Sequence, residues 1–263
     1  MAVPAADREH GAVPAADREH GAAPAALGRR ALAELLGTAL LVMAIIGSGI
    51  AATRLSPGQT GLQLLENSLV TGAALAALIL ALQPVSAAFN PIITLVERVL
   101  GVIGTRDSVV VIAAQLVGGL LGAVLANLMF GLPAVSVATQ NRGGPGVWLA
   151  EVIATAGLVL IIFGAARGGR TDRVAYAVGA YIAAAYWFTS STSFANPAVT
   201  IARMFSDSFA GIAPASVPPF LIGQLVGGVV GYAIVRYLYP LSSPLPNPEE
   251  RHDHEPDRTV GRR

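Results

Sequence analysis

Six long apolar stretches, at about 31–53, 66–84, 108–131, 147–166, 174–190 and 217–239, alternate with connections rich in Arg, Gly, Pro and Ser. About 20 apolar residues cross a bilayer core of about 30 Å, so each stretch predicts a transmembrane helix. Two shorter apolar pieces remain, at 90–100 and 196–205. At ~1.5 Å of rise per residue each reaches about half-way across. They must enter and leave on one side, and non-helical backbone at that depth is tolerated only inside protein or along a watery cavity. The pattern therefore predicts an all-α membrane protein with six spans, two re-entrant half-helices and a pore.

The ends of the chain follow another pattern. Residues 2–11 (AVPAADREHG) recur verbatim as 12–21, and this Pro/Ala/charge repeat cannot bury a core. Residues 1–28 read as a disordered tail without a cleavable-signal pattern, and 241–263 as a second polar tail, leaving 29–240 as the channel body. Arg29 and Arg30, Arg98 and Arg106, and Arg167, Arg170 and Arg173 fall on one side of a six-span chain. Positive loops mark the cytoplasm, which places both termini there.

The body is an internal repeat, about 31–131 and 147–239. LAELLGTALLV (32–42) matches LAEVIATAGLV (149–159), AFNPIIT (88–94) matches FANPAVT (194–200), and QLVGGLLG (115–122) matches QLVGGVVG (224–231). Three collinear matches are hard to obtain by chance. A repeat with three spans sets its second copy upside down in the membrane, so the half-helices enter from opposite faces.

Asn90-Pro91 and Asn196-Pro197 stand where those half-helices begin. Asn is a favoured N-cap, and Pro suits the first helical position. In an inverted repeat the two starts meet near the midplane, where each Asn can hold its turn with the carbonyl oxygen and aim N–H donors at the lumen. Each helix start adds roughly half a positive charge, which repels cations and protons. One such pair alone would read as an ordinary turn; two at matched positions do not.

FNPIIT and ANPAVT resemble the paired boxes of the major intrinsic protein family (aquaporins and aquaglyceroporins), and AELLGTALLV resembles that family's first-span signature. The likeness covers about 30–240 and implies a right-handed bundle of six helices and two half-helices, one pore per subunit, usually in a homotetramer. The boxes are then Asn90, Pro91, Ile92 and Asn196, Pro197, Ala198, with Ile92 replacing the usual Ala. Glu34 and Glu151, at equivalent positions inside spans, are costly charges in lipid. The resemblance implies that they are structural acceptors for the loops leading to the half-helices. It further implies a selectivity filter at Val70, Ala184, Ser193 and Val199, with Thr71 competing for the first place if the register slips. Val199 stands where most members have Arg. Such a ring would be wide and mildly apolar, as in a bacterial branch associated with arsenic resistance, unless Arg203, one turn on, turns back to supply the guanidinium. Gly118, Gly119, Gly122, Gly227, Gly228 and Gly231 have the spacing of close helix packing.

Composition narrows the function classes. Only 13% of the 263 residues are charged against 54% hydrophobic, and the net charge is +1, so no nucleic-acid footprint is present. There is no Cys, every His (His10, His20, His252, His254) lies in a tail, and all 17 basic residues are Arg. The apolar body thus lacks the usual metal ligands, the commonest acid–base catalyst and the Lys of a nucleotide loop. No enzyme, cofactor or metal is expected. The reading is a bacterial inner-membrane channel for small uncharged solutes: glycerol-like polyols, arsenite-type metalloid hydroxides, and water. A water-selective channel and an inverted-repeat secondary transporter are the alternatives, the latter needing ion-coupling carboxylates inside the membrane.

Overall fold

The computed structural model describes residues 25–240; the predicted tails lie outside them, apart from 25–28. Eight α-helices follow in order: α1 Leu27–Leu55, α2 Thr60–Leu82, α3 Pro91–Val99, α4 Thr105–Met129, α5 Pro145–Arg167, α6 Val174–Phe188, α7 Pro197–Ala202 and α8 Val217–Leu238. Five of them (α1, α2, α4, α5 and the span ending in α8) are long and apolar enough to cross a membrane. The sixth, α6, has 15 residues and is preceded directly by the 3-10 turn Thr171–Arg173. Helices α3 and α7 are short, with 9 and 6 residues, and α7 continues into the 3-10 turn Arg203–Phe205.

The packing obeys the repeat. Helix α1 packs chiefly on α4, as α5 packs on α8; α2 crosses α6; each half-helix rests on the last helix of both repeats, and α3 meets α7. Apolar side chains cannot drive helices together in lipid, so close approach depends on small residues. A Cβ on Gly118 or Gly122 would lie 2.3 or 2.4 Å from the carbonyl oxygens of Leu35 and Ala39, and one on Gly227 or Gly231 would lie 2.5 or 2.8 Å from those of Val152 and Ala156. Those are matched contacts in matched repeats. Gly72 and Gly179 do the same where α2 crosses α6: a Cβ on either would stand 2.6 or 2.5 Å from the other's carbonyl oxygen. The remaining glycines of the motif face the boxes, Gly119 against Ala198 and Gly228 against Ile92.

The copies have also diverged in a coupled way. A Cβ on Gly37 would fall 2.0 Å from the Phe89 ring, so α1 leaves this space to an aromatic. In the second repeat the corresponding residues are Ala154 and Ala195.

Candidate functional site

Both half-helices start alike. Asn90 and Asn196 have extended backbone (φ −152° and −156°) at the N-caps of α3 and α7, each followed by Pro at the first helical position. Asn90 Oδ1 accepts from Ile92 N at 2.9 Å, and Asn196 Oδ1 from Ala198 N at 3.0 Å and Val199 N at 3.3 Å. Each side-chain nitrogen then reaches into the other repeat. Asn90 Nδ2 donates to the Ala195 carbonyl and Asn196 Nδ2 to the Phe89 carbonyl, both at 2.7 Å. A primary amide carries two N–H donors. Each Asn therefore spends one on joining the repeats and keeps one for the cavity that both residues line.

The accepting carbonyls belong to residues in an unusual conformation. Phe89 and Ala195 have φ of +48° and +47°, a left-handed backbone that costs on the order of 1–2 kcal/mol for a residue with a Cβ. Buried carboxylates hold them there. Glu34 accepts from Ala88 N at 2.8 Å, Phe89 N at 2.7 Å, Ser86 Oγ at 2.5 Å and Gln115 Nε2 at 2.8 Å. Glu151 accepts from Phe194 N and Ala195 N, both at 2.9 Å, and from Gln224 Nε2 at 2.6 Å. Gln115 and Gln224 also donate to Thr94 and Thr200, at 3.0 and 2.8 Å, on the half-helices themselves. Backbone that lipid cannot satisfy is satisfied by these two carboxylates.

A single cavity of about 560 Å³ runs past both Asn residues. Arg30, Gln83, Glu97 and Arg167 line one end, Ile93 and Val199 flank the middle, and Thr71, Tyr186, Ser193, Phe194 and Arg203 also face it. Ile92 does not. It is buried against Gly228 on the far side of α3, so the larger residue in the first box fills a helix–helix gap and leaves the lumen unchanged.

Two of the filter residues expected from spacing are placed elsewhere. Val70 is 44% exposed and Ala184 is exposed, and neither borders the cavity. One residue turns a helix by about 100°, so a slip of one on α2 and of two on α6 exchanges faces. Thr71 and Tyr186 take the inward positions, and Tyr186 Oη donates to Thr71 Oγ1 at 3.2 Å. Ser193 and Val199 do line the cavity, and Ser193 Oγ is buried with no partner among the described residues.

Arg203, the alternative source of a guanidinium, lines the cavity together with Phe194. It is only 2% exposed yet borders the cavity. Its Nε donates to the Ala210 carbonyl, and its guanidinium carbon stands 3.4 Å over the centre of the Phe194 ring. Arg142, outside the spans, covers the same ring at 5.2 Å and donates to the carbonyls of Gly211 and Phe209 at 2.9 and 3.1 Å. Cation–π contact of this kind contributes about 0.5–2 kcal/mol and fixes the guanidinium plane. Among the described residues only Nε of Arg203 donates to protein, and the residue borders the cavity. Tyr186 and Phe194 were not anticipated. The available signal was a Tyr inside an apolar span, whose hydroxyl needs a polar partner.

Comparison with known proteins agrees with this geometry. The family model described as major intrinsic protein matches residues 23–185 and 167–255. The chain is 45% identical over 220 residues to aquaglyceroporin AqpS of Rhizobium meliloti, covering 83% of this chain and 94% of that protein. It is 30% identical over 220 residues to aquaporin A of Dictyostelium discoideum, covering 78% and 77%. The X-ray structure of the aquaglyceroporin from Plasmodium falciparum superposes with a TM-score of 0.64 at 18% identity, covering 83% of this chain and 98% of that one, a likeness of fold. With two half-helices meeting at paired Asn–Pro boxes beside a continuous cavity, this multi-pass membrane chain belongs to the major intrinsic protein family.

Proposed function

We propose that the protein is a passive channel, without catalytic activity, for neutral hydroxyl-bearing solutes of about glycerol size, including arsenite-type metalloid hydroxides. The observation that carries this reading is the composition of the lining. Beyond the charged Arg30, Glu97 and Arg167 end, polar groups recur between apolar side chains: Gln83, the spare amide donors of Asn90 and Asn196, Thr71 and Tyr186, the Ser193 hydroxyl, unpartnered among the described residues, and the Arg203 guanidinium. Apolar walls (Leu75, Ile93, Ile182, Val199) face the carbon side of such a solute, while the donors replace its water.

Arg203 supplies the filter guanidinium here, with Thr71, Tyr186, Ser193, Phe194 and Val199 around it. Val199 opens the space that a guanidinium at that position would fill, and Arg203 brings one back from a turn farther along, pinned against Phe194. The protein resides in a bacterial inner membrane with the Arg30, Arg98 and Arg167 end in the cytoplasm, as a homotetramer with one pore per subunit.

Proteoliposome swelling with water, glycerol and arsenite, run in parallel, tests the reading. Wild type should pass all three. Arg203→Ala should raise glycerol and arsenite flux relative to water, and Val199→Arg should lower both about tenfold by crowding two guanidinium groups into one ring. An unchanged ratio in both variants would remove Arg203 and Val199 from the filter, and the absence of glycerol flux in wild type would leave a water-selective channel.

A further inference from the structure

We propose that Glu97 is a specificity residue at the Arg30 and Arg167 mouth, the element that excludes anions from an otherwise donor-lined pore. Glu97 is the seventh residue after Asn90, as Arg203 is the seventh after Asn196. The inverted repeat therefore places the two as counterparts at opposite ends of the cavity, one a carboxylate and one a guanidinium, and both border it.

Glu97 sits against local electrostatics. It lies in the last turn of α3, where the helix terminus already carries about half a negative charge and a cation is preferred. Arg203 occupies the matching place at the end of α7 with the favourable sign. No ion pair relieves Glu97 among the described residues: Arg30, which shares its mouth, is bonded to Asp107 at 3.2 Å, and Arg167 donates to the Tyr239 carbonyl at 2.8 Å. Nor is the carboxylate part of the scaffold in the manner of Glu34 and Glu151, whose oxygens are occupied by backbone N–H groups.

What the carboxylate changes is the balance of charge in the lumen, since it offsets one of the two cations, Arg167 and Arg203, that are left when Arg30 is paired with Asp107. Glu97 is the one acidic side chain among the described residues that line the cavity; the other charged ones are Arg30, Arg167 and Arg203. With Arg30 neutralised by Asp107, the lining without Glu97 would offer a cation at each end and amide donors between. That arrangement excludes cations well and invites anions. The Glu97 carboxylate offsets Arg167 at that mouth and closes the second possibility, so each sign of ion meets its own barrier while neutral solutes meet neither.

The test is chloride entry into proteoliposomes, read by quenching of an enclosed chloride-sensitive dye under a potassium–valinomycin potential, beside water swelling and potassium flux. Wild type and Glu97→Asp should be tight to chloride. Glu97→Gln, nearly isosteric, should pass chloride roughly tenfold or more above wild type, the scale of one unit charge acting across a few ångströms of partly wet lumen. Its water flux and potassium exclusion should stay the same. Three results would overturn the proposal: a chloride-tight Glu97→Gln with normal water flux, equal leakage of potassium and chloride, which would mean a steric defect, or loss of all flux, which would make Glu97 part of the scaffold. Failure of wild type to pass water or glycerol would instead count against the channel reading, and the two failures are separate in the data.

Discussion

At Asn90 and Asn196 a single side chain both builds the pore and lines it. One N–H of each amide binds a carbonyl of the opposite repeat at 2.7 Å, and the other faces the lumen. Asn→Asp at either site replaces donors by an acceptor, sets a carboxylate against that carbonyl and offsets the positive start of the half-helix. Cation conductance in planar bilayers should rise, and the thermal midpoint in detergent should fall. Unchanged cation exclusion in correctly inserted variants would place these residues off the conduction path. Glu34→Gln keeps the size but turns an acceptor for backbone N–H groups into a partial donor, so it should lower stability by about 2–4 kcal/mol, measured as a loss of folded protein on heating. The Asn–Pro pairs could be read from sequence because Asn and Pro have local, backbone-level reasons to start a helix. The inward faces of α2 and α6 could not. Counting residues from a box fixes position along a helix but not its rotation, which is set by which small residues touch, here Gly72 and Gly179. Arg203 was ambiguous for the same reason: its direction is decided by the Phe194 ring and the Ala210 carbonyl, both distant from what a helical wheel contains.

The helices themselves are legible as apolar length, and their ends, set by Pro, Gly and Arg clusters, fall within six residues of the expected boundaries. How closely they approach is another matter, decided by backbone contact. Gly118→Ala and Gly227→Ala should each destabilise the protein by about 1–3 kcal/mol, because the new methyl meets a carbonyl oxygen on rigid neighbouring helix at 2.3 or 2.5 Å. Gly61→Ala, with nothing within 4 Å of the new Cβ, should be neutral or slightly stabilising through helix propensity. Fluorescence-detected melting of the three variants side by side checks the contrast. Equal shifts for all three would mean that the α1–α4 and α5–α8 seams are looser than described.

For the whole molecule, the intramembrane acids at equivalent repeat positions, Glu34 and Glu151, are fully engaged with backbone and Gln donors. Neither is available to carry a coupling proton, and the third carboxylate on the lumen, Glu97, stands at one mouth and not at the Asn90–Asn196 midplane where a solute would be coupled. Solute flux should therefore be linear in the gradient at low concentration and unaffected by an imposed pH gradient or membrane potential. Uphill accumulation driven by either would convert the channel into a transporter.

The contact between Gly37 and Phe89 bears on how such a chain can change over generations. Two stretches as alike as 32–42 and 149–159 invite recombination that would overwrite one with the other. Carrying the Ala154 of the later copy into position 37 would drive its methyl into the Phe89 ring, where an added Cβ stands 2.0 Å from the ring edge. Inheritance therefore has to move residue 37 and residue 89 together, although they lie in separate segments. The ancestral duplication has in this way become hard to reverse piecemeal, and the halves persist as unlike parts that fit only each other.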